Sequence, residues 1–179
     1  MTETLTPTPD ACLVAHGAPD APRAARSLVL IYAGEVARHL TAMAGECGYA
    51  VTVVEPDPAL RAAATAWAPT VLAEVPAATT DEGTDVVACD HHREDLGVVL
   101  RDALAAPTRW IGVIGNPRGV GPHLHLLAEL GVPDDEIARV HRPIGLNIGS
   151  RLPAEIAIST LAGLLADRAG KPGGFDFSV

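Results

Sequence analysis

Ser27-Leu-Val-Leu-Ile-Tyr-Ala-Gly-Glu-Val-Ala37 is the stretch on which the reading of this chain turns. Leu28 to Tyr32 is a short, continuous apolar run, the pattern of a strand buried on both faces. Ala33-Gly34 interrupts it, and the spacing predicts a helix over 35–47, stopped by Gly48. The same unit recurs outward from here. Ala50-Val-Thr-Val-Val54 reads as a second strand, closed by Glu55-Pro-Asp-Pro58, with a helix near 59–67 and a strand at 70–74. Strands follow at 85–89 and 110–114, with helices at 94–105 and 122–130. A short helix opens at Pro133, Arg139-Val140 forms a last strand, and a long helix covers 152–169.

Strand and helix alternate along the chain, which is the order of an α/β protein with a mostly parallel sheet covered on both faces. The organisation expected is a single domain over 27–169. Residues 1–26, with Pro7, Pro9, Pro19 and Pro22, read as an irregular amino-terminal segment. Residues 170–179, opening with Gly170-Lys-Pro-Gly-Gly174, read as a flexible tail. In open α/β sheets ligands sit beyond the carboxyl ends of the strands. Candidate residues are therefore sought in the loops after Tyr32, Val54, Cys89 and Ile114.

The 179 residues suffice for one sizeable core. A net charge of −9 argues against a general nucleic-acid binder, because neutralising phosphates takes clustered Lys and Arg. No apolar run has the length of a membrane span, and the Thr- and Pro-rich start does not read as a secretory signal. Cys12, Cys47 and Cys89 are odd in number and far apart, which points to a reducing, cytoplasmic setting rather than a disulfide framework. No Ser–His–Asp order, nucleophile elbow or carboxylate pair is present, so no catalytic residue is assigned.

Four constellations carry the functional reading. Tyr32-Ala-Gly-Glu-Val-Ala37 approximates a dinucleotide fingerprint, with Gly34 and Ala37 in place and Tyr32 where the first glycine stands. Glu55 follows 21 residues after Gly34, where an acid would meet a ribose. The alternative is a turn of the same shape that binds nothing. Cys89-Asp-His-His92 brings thiol, carboxylate and imidazole to a strand end, but neighbours in an extended segment face opposite ways. Polar ligand contacts from Cys89 and His92 are expected in preference to a metal site, and none of the histidine pairs is assigned a metal. In Gly115-Asn-Pro-Arg-Gly-Val-Gly121, Asn116 can stabilise the turn and Arg118 can clamp an anion. Arg142-Pro-Ile-Gly-Leu-Asn-Ile-Gly-Ser-Arg-Leu-Pro-Ala-Glu155 places Gly145 and Gly149 before a helix opened by Pro153, a joint whose backbone N–H groups favour an anion. Arg151 lies beside it.

These residues carry a resemblance. From Ser27 to Arg168 the chain resembles the carboxy-terminal Rossmann domain of the XdhC/CoxI family. Trp110-Ile-Gly-Val-Ile-Gly115 is similar to its Tyr-Ile-Gly-Leu-Ile-Gly strand. Ile137-Ala-Arg-Val-His141 and Pro143-Ile-Gly-Leu-Asn-Ile-Gly149 are similar to its Leu-Ala-Arg-Ile-His and Pro-Ile-Gly-Leu-Asp-Ile-Gly segments. Pro153-Ala-Glu-Ile-Ala-Ile-Ser159 is similar to its Pro-Glu-Glu-Ile-Ala-Val-Ser helix. The departures fall in the facing loops: Gly-Ala-Gly-His-Val-Ala becomes Tyr32-Ala-Gly-Glu-Val-Ala37, and Ser-Arg-Arg-Lys becomes Asn116-Pro-Arg-Gly119. Full-length members carry an amino-terminal domain where residues 1–26 stand here.

The resemblance implies a Rossmann-like, non-enzymatic maturation factor for molybdenum hydroxylases of the xanthine dehydrogenase type. Such a factor would bind molybdenum cofactor and meet the apo-enzyme. The apolar stripe of the last helix, with Ile156, Ile158, Leu161, Leu164 and Leu165, separately leads to the expectation of a homodimer. The pocket residues expected are Gly34, Glu55, Cys89, His92, Arg118, Gly145, Gly149 and Arg151. Two other readings stay open. One is an NAD(P)-binding oxidoreductase or nucleotide sensor. The other is a non-binding interaction module that pairs with a separate amino-terminal-domain partner.

Overall fold

A computed structural model describes residues 11–16, 26–116 and 118–171. Within the stretch expected to be irregular, α1 (Ala11–Ala15) is a short helix. The domain proper starts at β1 (Arg26–Ile31), followed by α2 (Glu35–Glu46), β2 (Tyr49–Val54), α3 (Pro58–Ala64) and β3 (Val71–Leu72). Then come β4 (Thr84–Ala88), α4 (Leu96–Ala105), β5 (Trp110–Val113), α5 (Pro122–Glu129), α6 (Asp134–Ile137), β6 (Val140–His141) and α7 (Pro153–Arg168). The six strands form one sheet in the order β3-β2-β1-β4-β5-β6. Every neighbouring pair is parallel. The winding reverses between β1 and β4, so a crevice opens where their carboxyl ends diverge.

The continuous apolar run of β1 follows from its central position. Val29 and Ile31 point to one layer with Val86, Leu96, Leu100 and Leu127. Leu28 and Leu30 point to the other with Val51, Val53, Leu40, Leu161 and Leu164. Alternate side chains thus enter two cores, and neither face can be polar. Gly97 lets α4 approach α5 closely, since a Cβ there would sit 2.9 Å from Leu126 Cβ.

The amino edge is closed by charge. Asp85 has no exposed surface and accepts from Arg109 Nε at 2.6 Å and Arg168 Nε at 2.7 Å. Arg168 also donates to Gly83 O and stands over the Tyr49 ring, 5.3 Å from its centroid. This cluster fastens the last turn of α7 to the start of β4. The apolar residues of α7 divide: Leu161 and Leu164 are buried, whereas Ile158 is exposed. Of the expected tail, Gly170 (φ 60°) and Lys171 finish α7, and 172–179 lie outside the described residues. Among the described residues no helix is long and apolar enough to cross a membrane.

Candidate functional site

The carboxyl edge carries the loops after β1, β4 and β5 and the loop before α7. At the turn after β1 the left-handed backbone belongs to Tyr32 (φ 74°), where the fingerprint would hold its first glycine. Gly34, the N-cap of α2, has an ordinary φ of −89°. Apart from its own neighbours in the chain, no residue comes within 4 Å of where a Gly34 Cβ would sit, so the start of α2 is an open cradle. Tyr32 is buried, and its hydroxyl donates to Asp95 Oδ1 at 3.0 Å. Burial first, then the Asp95 hydrogen bond, raises the phenol's pKa, so the group stays a neutral donor.

Glu55 lies at that turn, its carboxylate fully buried and internally engaged. Oε2 accepts the Ala33 N–H at 2.9 Å and Oε1 the Asp57 N–H at 3.0 Å. Arg93 Nη2 lies 3.1 Å from Oε1. The Arg93 guanidinium carbon stands 4.5 Å from the Tyr32 ring centroid, and its Nε lies 3.6 Å from Asp95. Tyr32, Glu55, Arg93 and Asp95 therefore form one closed network beside the glycine turn. A ribose hydroxyl reaching Glu55 would have to displace Arg93.

Cys89 stands just past β4, its N–H bonded to Ile31 O at 2.9 Å. Burial, then the neighbouring Asp90, raises the pKa of its thiol, so it is a neutral S–H rather than a thiolate. His92 is exposed; its N–H donates to Asp90 Oδ1 at 2.8 Å, and its ring centroid lies 4.0 Å from that of His91. Among the described residues no three His, Cys, Asp or Glu side chains are grouped to hold a metal.

In the turn after β5, Asn116 Oδ1 accepts the Arg118 N–H at 3.0 Å, the turn-stabilising bond expected from the sequence. The Arg118 side chain is exposed. Gly145 (φ 91°) lies flat on α7: a Cβ there would be 2.9 Å from Ser159 Oγ and 3.1 Å from the Thr160 nitrogen. Gly149 (φ 70°) faces open space. Ser150 Oγ accepts the Leu152 N–H at 3.1 Å and bonds Glu155, fixing the entry to α7. Arg151 is exposed. Gly34 and Cys89 thus follow the neighbouring strands β1 and β4, Gly145 packs on α7, and Arg118 and Arg151 lie at the surface. Sequence reasoning notes Asp95 only as a neighbour of the Cys89–His92 stretch and misses Arg93, whose only local signal is charge before a helix. It also misses Arg142, which donates through Nη1 to Gly119 O at 3.0 Å.

A parallel sheet of this order, with helices on both faces and a crevice at the switch point, defines a Rossmann-type domain. The chain matches the XdhC Rossmann-domain family over residues 28–164 and belongs to it. A solved structure named as a xanthine dehydrogenase from Bacillus halodurans shares the fold, with a TM-score of 0.64 and 24% identity over 83% of this chain and 44% of that one. The uncharacterized protein YqeB of Escherichia coli (strain K12) is 43% identical over 75 residues, or 42% of this chain and 14% of that protein. An imine reductase from a Pseudomonas species matches at a TM-score of 0.40 and 18% identity, over 64% of this chain and 39% of that one. The chain thus spans less than half the length of each of these proteins.

Proposed function

We propose that this domain serves the maturation of a molybdenum hydroxylase, holding molybdenum cofactor or meeting the apo-enzyme at the carboxyl edge of its sheet. Membership of the XdhC Rossmann-domain family over 28–164 carries the reading. The residues fit an anionic pterin cofactor in part. The open cradle at Gly34 admits a ligand backbone close to the start of α2, and Gly145 and Gly149 shape the facing loop. Arg118 and Arg151 would supply charge from the surface, and His92 a polar contact. Cys89, a neutral thiol, would contact the cofactor by packing rather than as a thiolate ligand to molybdenum. When bound, the cofactor would supply the redox metal of the recipient enzyme. This chain would bind, orient and release it with no turnover of its own.

The test is reconstitution. Purified protein, loaded with molybdenum cofactor, is mixed with apo-xanthine dehydrogenase and activation is followed. Retention of cofactor on gel filtration and faster activation are expected; no retention and no activation would dispose of the proposal.

A docking reading has its own support. Val120 is 86% exposed, and Ile148, Leu152 and Ile158 are exposed in the loop before α7 and on that helix. Such side chains suit a protein partner: the hydroxylase, a separate amino-terminal-domain protein, or a second copy of this chain. Nicotinamide cofactors are the weaker fit, because Glu55 is already held by Arg93. Calorimetry with NAD(H) and NADP(H) is expected to show no heat.

A further inference from the structure

We propose that Arg142 and His123 form a recognition site for a phosphoryl group at the carboxyl end of β5. The proposal rests on the reading that this edge holds an anionic cofactor, and it names the residues that would take the anion.

Two glycines make room for these side chains. A Cβ on Gly115 would lie 2.4 Å from Arg142 Nε and 2.6 Å from its Nη2. A Cβ on Gly121 would lie 2.4 Å from His123 Nδ1 and 2.8 Å from Arg142 Cδ. Arg142 therefore runs along the turn from one glycine to the other, and its bond to Gly119 O fixes the guanidinium in place.

That bond leaves donors over. Arg142 Nε and His123 Nδ1 are both buried with no hydrogen-bond partner. His123 is only 4% exposed. Buried polar atoms are nearly always paired, because an unmade bond there leaves the full desolvation penalty uncompensated. Among the described residues no carboxylate forms a salt bridge with Arg142, and burial alone pulls its pKa down. In a chain of net charge −9, a half-buried, uncompensated guanidinium beside an unpartnered imidazole nitrogen marks a place held for an anion.

The backbone adds to it. Gly121 caps α5 and Pro122 takes the first helical position; the Leu124 N–H is taken by Gly121 O at 3.2 Å, so this eight-residue helix contributes chiefly the positive end of its dipole to the turn. Burial, then the Arg142 charge, holds His123 neutral with a pKa of about 4. A neutral imidazole with its proton on Nδ1 donates there. A phosphoryl group offers enough acceptor oxygens for guanidinium and imidazole together. Either a nucleotide or a pterin phosphate presents that group.

The probe is inorganic pyrophosphate, followed by the His123 ring signals in NMR and by calorimetry. In the wild-type protein it is expected to move the His123 signals and raise the pH at which that ring titrates. Arg142→Gln is expected to weaken binding about tenfold or more, with Arg142→Lys between the two because an ammonium cannot reproduce the fork. Unmoved His123 signals in the wild type would overturn the site, whether or not Arg142→Gln folds. So would unchanged pyrophosphate affinity in a folded Arg142→Gln, the result if Arg142 only staples the loop. Cofactor retention measured in parallel separates the two claims. Retention that ignores Arg142→Gln sinks this site and spares the proposed function. Arg142-dependent pyrophosphate binding without cofactor retention does the reverse.

Discussion

Arg93 Nη2 lies 3.1 Å from Glu55 Oε1 while the same guanidinium covers the Tyr32 ring, joining residues 38 positions apart across the β1–β2 end of the crevice. Glu55 is buried completely, so this pair is part of the fold's internal electrostatics rather than surface decoration. Removing one member of a buried pair strands the other charge. Arg93→Ala is expected to lose about 3 kcal/mol of stability, with Glu55→Gln/Arg93→Gln recovering part of it. Urea unfolding of the single and double variants checks this. Losses that simply add in the double variant would show that the two residues are not coupled.

The three glycines of the expected pocket should respond differently to alanine. Gly145→Ala meets both a positive φ and the flank of α7, and should lose about 2–3 kcal/mol. Gly149→Ala meets the positive φ alone and should lose about 1 kcal/mol. Gly34→Ala meets neither and should leave stability within about 0.5 kcal/mol while narrowing the cradle at α2. Melting temperatures of the three rank the effects. A melting temperature for Gly34→Ala as low as that of Gly145→Ala would contradict the order.

Asp85 sits between Arg109 and Arg168 with no exposed surface. Asp85→Ala leaves two guanidinium groups facing each other and should lose about 3–5 kcal/mol. Because the cluster holds the end of α7, amide exchange should quicken most in the last turn of that helix. Uniform quickening over the whole sheet would instead point to a general loss of core.

His123 is pulled from 6.5 to about 4 by burial and by Arg142. The unfolded chain therefore binds the extra proton first as pH falls. The stabilisation is complete above pH 6.5 and is lost as pH falls toward 4, by about 1–3 kcal/mol after allowance for screening. Burial lowers His91 and His141 as well, and both act in the same direction. A ring titration of His123 by NMR in the native protein should show a midpoint near 4. A midpoint near 6.5 would mean that the ring is solvated.

Local pattern makes much of the fold legible. The apolar run of β1, the stop at Gly48 and the Glu55-Pro-Asp-Pro58 corner all act through neighbours in the chain, and Asp57 duly caps α3 by accepting from Ala59 and Leu60. The strand expected at 70–74 shortens to Val71–Leu72, an edge strand whose only partner among the described residues is β2. The site is less legible. In the sequence Tyr32 stands only as a missing glycine, but the structure gives it the left-handed backbone and packs its ring under Arg93.

The sequence by itself determined the order of elements, the parallel α/β architecture and the family, because periodicity, turn chemistry and the 143–159 segment are properties of consecutive residues. Tertiary structure alone decided which charges meet. Glu55 finds Arg93, Asp85 finds Arg109 and Arg168, and Arg142 lies along the Gly115–Gly121 turn beside the unpartnered Nδ1 of His123. These contacts join strand ends far apart in the chain, and only the packing of the sheet sets those distances and excludes the water that would otherwise screen them.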